Sequence, residues 1–139
     1  MSETMPKPSP APDRFSEEFW AGANRGELVI QRCSACGRLQ HPPMPVCSNC
    51  LGLDFEYVPV SGRGTVYSYT VAHHVVVPGF EEDAPYVVAL VELEDQQGLR
   101  VLFNLRETPP EGVHGGMPVQ VAFGPRQGEY AVPFFIARS

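Results

Sequence analysis

The spacing of apolar residues along this chain changes from a helical to a strand period. Near the N-terminus Phe15, Phe19 and Ala23 recur four apart with Trp20 beside them, which is the period of one helix face. Asp13 can cap such a helix, Glu17 and Glu18 suit its positive end, and Gly26 can stop it. The pattern predicts one amphipathic helix of about three turns within residues 13–27. Its aromatic face either packs on its own domain or docks another protein; aromatic stripes are more often core. Residues 28–31 then read as a short strand running into Cys33.

From Tyr57 onward the period is two. Strands are predicted over residues 64–73, 86–94, 99–106, 118–123 and 131–137. Leu99, Val101, Phe103 and Leu105 share one face and Arg100, Asn104 and Arg106 the other. Val119, Val121 and Phe123 alternate, as do Val132, Phe134 and Ile136, where Pro133 argues for an edge strand. Turn residues separate these runs, among them Gly62, Pro78-Gly79, Gly98 and Gly115-Gly116. Five strands in about 80 residues, without a long helix, suit a Greek-key barrel of the OB type. The helix that such barrels often carry before the fourth strand is not expected, because residues 107–117 hold Pro109, Pro110, Gly112, Gly115 and Gly116. The fold class expected is mainly β: a disordered arm over residues 1–12, a helix over 13–27, a cysteine module over 28–56 and a barrel over 57–139.

Composition changes this picture only by exclusion. The 139 residues are 43% hydrophobic and 19% charged, as in globular proteins. No run reaches the ~18 apolar residues of a membrane span. The proline-rich start lacks the apolar stretch of a secretory signal, so a cytoplasmic, reducing location is expected. The net charge is −6, and the barrel region alone carries five Arg against nine acids. That balance counts against nucleic acid, although a single-stranded nucleic-acid binder is the alternative that a ribbon and an OB barrel suggest.

All four cysteines fall between positions 33 and 50, as Cys33-x-x-Cys36 and Cys47-x-x-Cys50 with ten residues between the pairs. Two such pairs predict tetrahedral thiolate coordination. Gly37 and Gly52 stand where left-handed conformations would close the two knuckles. Zinc and iron share this ligand set; its place beside a barrel favours zinc. Four thiolates leave no open position, so the site reads as structural. Arg32 and Arg38 can offset its charge, and His41 is a spare ligand that four cysteines make unnecessary.

Catalytic signals are weak. No G-x-S-x-G, H-E-x-x-H, Walker loop or strand-following G-x-G-x-x-G occurs. Gly62-Arg63-Gly64 reads as a barrel bend. His73-His74, with the acidic Glu81-Glu82-Asp83 nearby, is a base-and-acid candidate, but a solvated loop is the simpler reading. Arg63, Arg100 and Arg106 can hold an anionic ligand such as CoA phosphates, with Tyr67, Tyr69, Phe80 and Tyr86 available to stack on a planar base.

Three stretches together resemble the zinc-ribbon/OB-fold acyl-CoA-associated proteins, long a domain family of unknown function. They are Phe19-Trp20 with Gly26 to Gly37, then Pro43 to Cys50, then Gly62-Arg63-Gly64-Thr65-Val66 with Pro85-Tyr86-Val87-Val88-Ala89. The resemblance covers almost the whole chain from Phe15. It implies a rubredoxin-like zinc ribbon ahead of the barrel. It also implies a non-catalytic accessory subunit, partnered with a thiolase, a thiolase-like aldolase, a synthase-like enzyme or an enoyl-CoA hydratase. Such a subunit helps hold the acyl-CoA substrate in a hetero-oligomer, in fatty acyl or steroid side-chain metabolism.

Overall fold

A computed structural model describes residues 10–73 and 85–138. His74, Phe80, Glu81, Glu82, Asp83 and most of the expected N-terminal arm lie outside the described residues. Among the described residues no helix is long and apolar enough to cross a membrane.

The helix α1 spans Glu17–Asn24, shorter than the pattern predicted. Asp13 does not cap it directly: its Oδ1 accepts from the amides of Phe15 and Ser16, making a turn that leads into the helix. Phe19, Gly22 and Ala23 are buried, so the helix face packs on its own chain. Three short strands follow, β1 (Val29–Cys33), β2 (Leu39–Gln40) and β3 (Phe55–Pro59), in the antiparallel order β2-β1-β3. β3 was not anticipated as a separate element, and it crosses the boundary expected between residues 56 and 57.

The remaining strands are β4 (Arg63–Ala72), β5 (Tyr86–Leu93), β6 (Arg100–Leu105), β7 (Pro118–Gln127) and β8 (Tyr130–Ala137). They close a barrel in the order β4-β5-β6-β8-β7, the mainly β OB-type architecture expected from the strand pattern. Only a 3-10 turn at Pro110–Gly112 precedes β7, consistent with the glycines and prolines there. Closure depends on Gly64, where a Cβ would run into the Glu92 carbonyl across the β4–β5 ladder. Inside lie Val66, Val87, Val91, Val101, Val119 and Phe135, each nearly without exposure. Each such side chain contributes about 1.5–3 kcal/mol relative to exposure.

The structure resolves which face of the last strand points inward and corrects its expected edge position. Its inward residues are Ala131, Pro133 and Phe135, while Val132, Phe134 and Ile136 face outward and are half-buried. The strand is also not an edge: β8 lies between β6 and β7. Pro133 fits because it pairs with Phe123, just where the ladder to β7 breaks, and because the β6 side makes the single bridge Leu105–Phe135.

Candidate functional site

The cysteine pairs fold as two matching knuckles. In the first, the Gly37 amide donates to the Cys33 carbonyl and the Cys33 amide to that of Arg38. In the second, Leu51 donates to Cys47 and Cys47 to Gly52. The left-handed position is Gly37 (φ 78°) in the first and Leu51 (φ 65°) in the second. Gly52, expected to take that conformation, is needed for a different reason. A Cβ there would lie 3.2 Å from the Cys33 sulfur and 3.3 Å from that of Cys50. Leucine at a left-handed position costs about 1–2 kcal/mol more than a right-handed conformation.

The ends of β1 and the two knuckles bring all four Sγ atoms within 4.8 Å of one another. The Cys33–Cys50 and Cys36–Cys47 separations are 3.5 Å and 3.7 Å. A tetrahedral zinc with bonds of about 2.3 Å places its sulfurs about 3.8 Å apart, so the residues present fit the ion. Backbone N–H groups aim at the sulfurs as well. The Arg38 amide, with the Asn49 side chain, brings Cys36 down to about 6. The amides of Cys50 and Asn49 likewise lower Cys47. At Cys50 the Gly52 amide favours the thiolate, but the Cys33 sulfur and its neighbours outweigh it and push the thiol up to about 12. Crowded sulfurs of this kind become four thiolates only with a cation among them.

The charges expected to balance the centre are committed elsewhere in part. Arg32 pairs with Glu56 at 2.9 Å and donates to the Gly37 carbonyl, bracing the first knuckle. His41 stands apart from the four sulfurs. Its ring packs 5.5 Å from Phe19 and 6.4 Å from Phe103, its Nδ1 is buried with no partner among the described residues, and burial lowers its pKa to about 4.

Of the three candidate arginines, Arg63 and Arg100 flank β5 on one face, in line with residues 63–65 of β4, and Arg106 stands apart from them. Arg63 pairs with Glu94. Arg100 sits 3.4 Å from Glu92 and stacks on Tyr67 with its guanidinium 3.8 Å from the ring centre. Arg106 lies just past the end of β6, six residues from Arg100 and roughly 20 Å away at strand rise. It packs over Phe134 and forms no ion pair among the described residues. Arg106 borders a cavity of about 250 Å³ with Pro85, Tyr86, Asn104, Glu107 and Thr108. Glu107 there holds a left-handed φ of 67°. Tyr67 and Tyr69 are exposed on β4, and His73 is an exposed residue beyond its end.

Sequence reading missed the residues that hold the metal module in place. Gln31 is wholly buried; its amide bonds the Met44 carbonyl and amide and the Gln40 side chain, fixing the excursion between the knuckles. Gln96, in the β5–β6 turn, accepts from the Leu39 amide and donates to the Leu39 carbonyl, both at 2.8 Å. Asn24 at the end of α1 donates to the Glu129 carbonyl and accepts from the Ala131 amide. A lone amide in a sequence carries no mark of such a pairing; the only signal was Gln31 at an inward position between Ile30 and Cys33.

Comparison with known proteins agrees with this architecture. Residues 20–56 match the family model of the ChsH2 rubredoxin-like zinc ribbon domain, and residues 57–124 that of the ChsH2 C-terminal OB-fold domain. The probable enoyl-CoA hydratase alpha subunit of Thermomonospora curvata is 43% identical over 137 residues, covering 96% of this chain and 42% of that protein. The 3-oxo-4,17-pregnadiene-20-carboxyl-CoA hydratase alpha subunit of Mycobacterium tuberculosis is 44% identical over 114 residues, covering 82% and 35% respectively. The chain therefore spans less than half the length of these two curated relatives. A chain of the Ltp2-ChsH2(DUF35) aldolase superposes with a TM-score of 0.82 at 43% identity, covering 92% of this chain and 98% of that one.

Proposed function

This chain belongs to the ChsH2 zinc-ribbon and OB-fold family, also called DUF35, and on that premise we propose that it is a non-catalytic accessory subunit of an acyl-CoA-processing enzyme. The partner is a thiolase-like, aldolase or hydratase subunit, and the substrate a CoA thioester of the fatty acyl or steroid side-chain class. The complex works in the cytoplasm. The observation that carries this reading is the near full-length match, on both sides, to a chain of an aldolase made of two named components. The geometry supports it, because four sulfurs fill a tetrahedral shell and leave no position for water or substrate. Cys33, Cys36, Cys47 and Cys50 would hold zinc, which supplies cohesion to the ribbon.

A direct contact with CoA belongs to the same proposal. Arg63 and Arg100 are each matched by a carboxylate, so Arg106 is the arginine best placed to meet a ligand phosphate. Co-expression tests the reading. With its partner the chain should elute as a hetero-oligomer and raise the partner's thioester turnover. If elution, solubility and activity of the partner all stay unchanged, the subunit reading fails. Within an active complex, Arg106→Glu should raise the KM for the CoA thioester several-fold; an unchanged KM removes Arg106 from the ligand site.

A further inference from the structure

The two knuckles are the same turn built twice, so they can be compared directly. The first places glycine at its left-handed residue, Gly37. The second places leucine there, Leu51, and leaves that side chain 75% exposed. Nothing inside the chain rewards this choice: the conformation opposes a leucine and the exposure gains no burial. A residue that is unfavourable on both counts is explained by a contact outside the chain. Leu53 is 71% exposed, Met44 49% and Val46 39%, and all four residues flank Cys47 and Cys50. Residues 42–53 contain no Asp, Glu, Lys or Arg in a chain of net charge −6.

We propose that Met44, Val46, Leu51 and Leu53, carried on the second knuckle, form the face by which this chain docks on an uncharged apolar surface of its enzyme partner, with Leu51 as the anchor. This rests on the subunit reading above. The charge pattern selects the occupant. Cores of protein interfaces are depleted of charge and enriched in apolar anchors, and this span joins four exposed apolar side chains to an absence of acidic and basic residues. An anionic membrane surface would require basic residues beside the apolar ones, and the span has none. A second copy would add another −6 to the net charge of the assembly.

The zinc-loaded full-length chain is co-expressed in turn with an Ltp2-type aldolase chain, a thiolase chain and a hydratase partner chain, as wild type, Leu51→Gly and Leu53→Asp. Thermal midpoint and zinc content are measured on each. The expected result is that wild type binds one of the three. Leu51→Gly then weakens that binding at least tenfold while its midpoint stays level or rises and its zinc is retained. A leucine serving only the fold would give the opposite, a lower midpoint with binding intact. Leu53→Asp should weaken the same complex without loss of zinc. If wild type binds and both variants bind equally well, the docking face is overturned and the subunit reading stands. If wild type binds none of the three, both are overturned. If the chain alone dimerises and Leu51→Gly makes it monomeric, the occupant is a second copy and the proposal is also overturned.

Discussion

A histidine with a pKa near 4 is a buried neutral base, and His41 is one. Its ring fills a space between Phe19 and Phe103, and the protonated form has no carboxylate or carbonyl partner at Nδ1 among the described residues. The unfolded chain binds a proton there below the ordinary value of 6.5, whereas the folded chain resists until about 4. Stability from this group is therefore complete above pH 6.5, declines as the pH falls through the window, and is gone below 4. The difference between neutral pH and pH below 4 is of the order of 3 kcal/mol. His41→Phe should flatten the loss of stability between pH 6.5 and 4. Because thiolate protonation releases zinc from both proteins alike, the check is the difference between their denaturation curves at matched zinc. Parallel curves would show that His41 does not titrate as described. At this scale the sequence was only partly readable. His41 stood out as a metal-ligating type, but its role depends on Phe19 and Phe103, which lie far from it along the chain.

At the scale of elements, two side-chain amides join three bodies. Gln96 reaches from the β5–β6 turn to pair with Leu39 as another strand would, and Asn24 does the same from α1 to the β7–β8 hairpin. Each supplies two hydrogen bonds, and each bond contributes about 0.5–1.5 kcal/mol. Gln96→Ala should thus lower stability by about 1–3 kcal/mol and speed hydrogen exchange at Leu39 and Gln40, while amides of β5 and β6 keep their protection. Uniform acceleration across the barrel would instead mean that Gln96 supports the global fold. The strands themselves were legible where one face is buried. Alternation in residues 99–105 marked β6, since a one-residue slip would expose Leu99, Val101 and Leu105. In β8 both faces carry large apolar residues, so periodicity could not choose between them, and closure against β6 and β7 did.

At the scale of the whole molecule a three-stranded ribbon and a closed barrel share one apolar core. That core runs from Phe19, Leu28 and Ile30 through Val66 and Val101 to Phe135. The ribbon has short strands and depends on its sulfurs. Phe19 packs on His41 of the ribbon and on Phe103, which stacks at 5.3 Å on Phe135 of the barrel. Removing zinc should therefore act unevenly. The protein should carry one zinc per chain, and chelation should abolish exchange protection at Gly37 and Leu51 while Val91 and Val101 remain protected. A metal-free chain with full protection in both regions would contradict the role assigned to the sulfurs.

The four-cysteine cluster, the five barrel strands and the family were legible in the sequence, because they are written in local spacing: two residues between paired cysteines, one between inward side chains. Long-range packing settled that Arg106 stands apart from Arg63 and Arg100, which face of β8 points inward, and that Leu51 takes the left-handed turn while Gly52 makes room for sulfur. Those outcomes follow from which segments come to lie side by side after the barrel closes and the knuckles converge, and no local pattern encodes that approach.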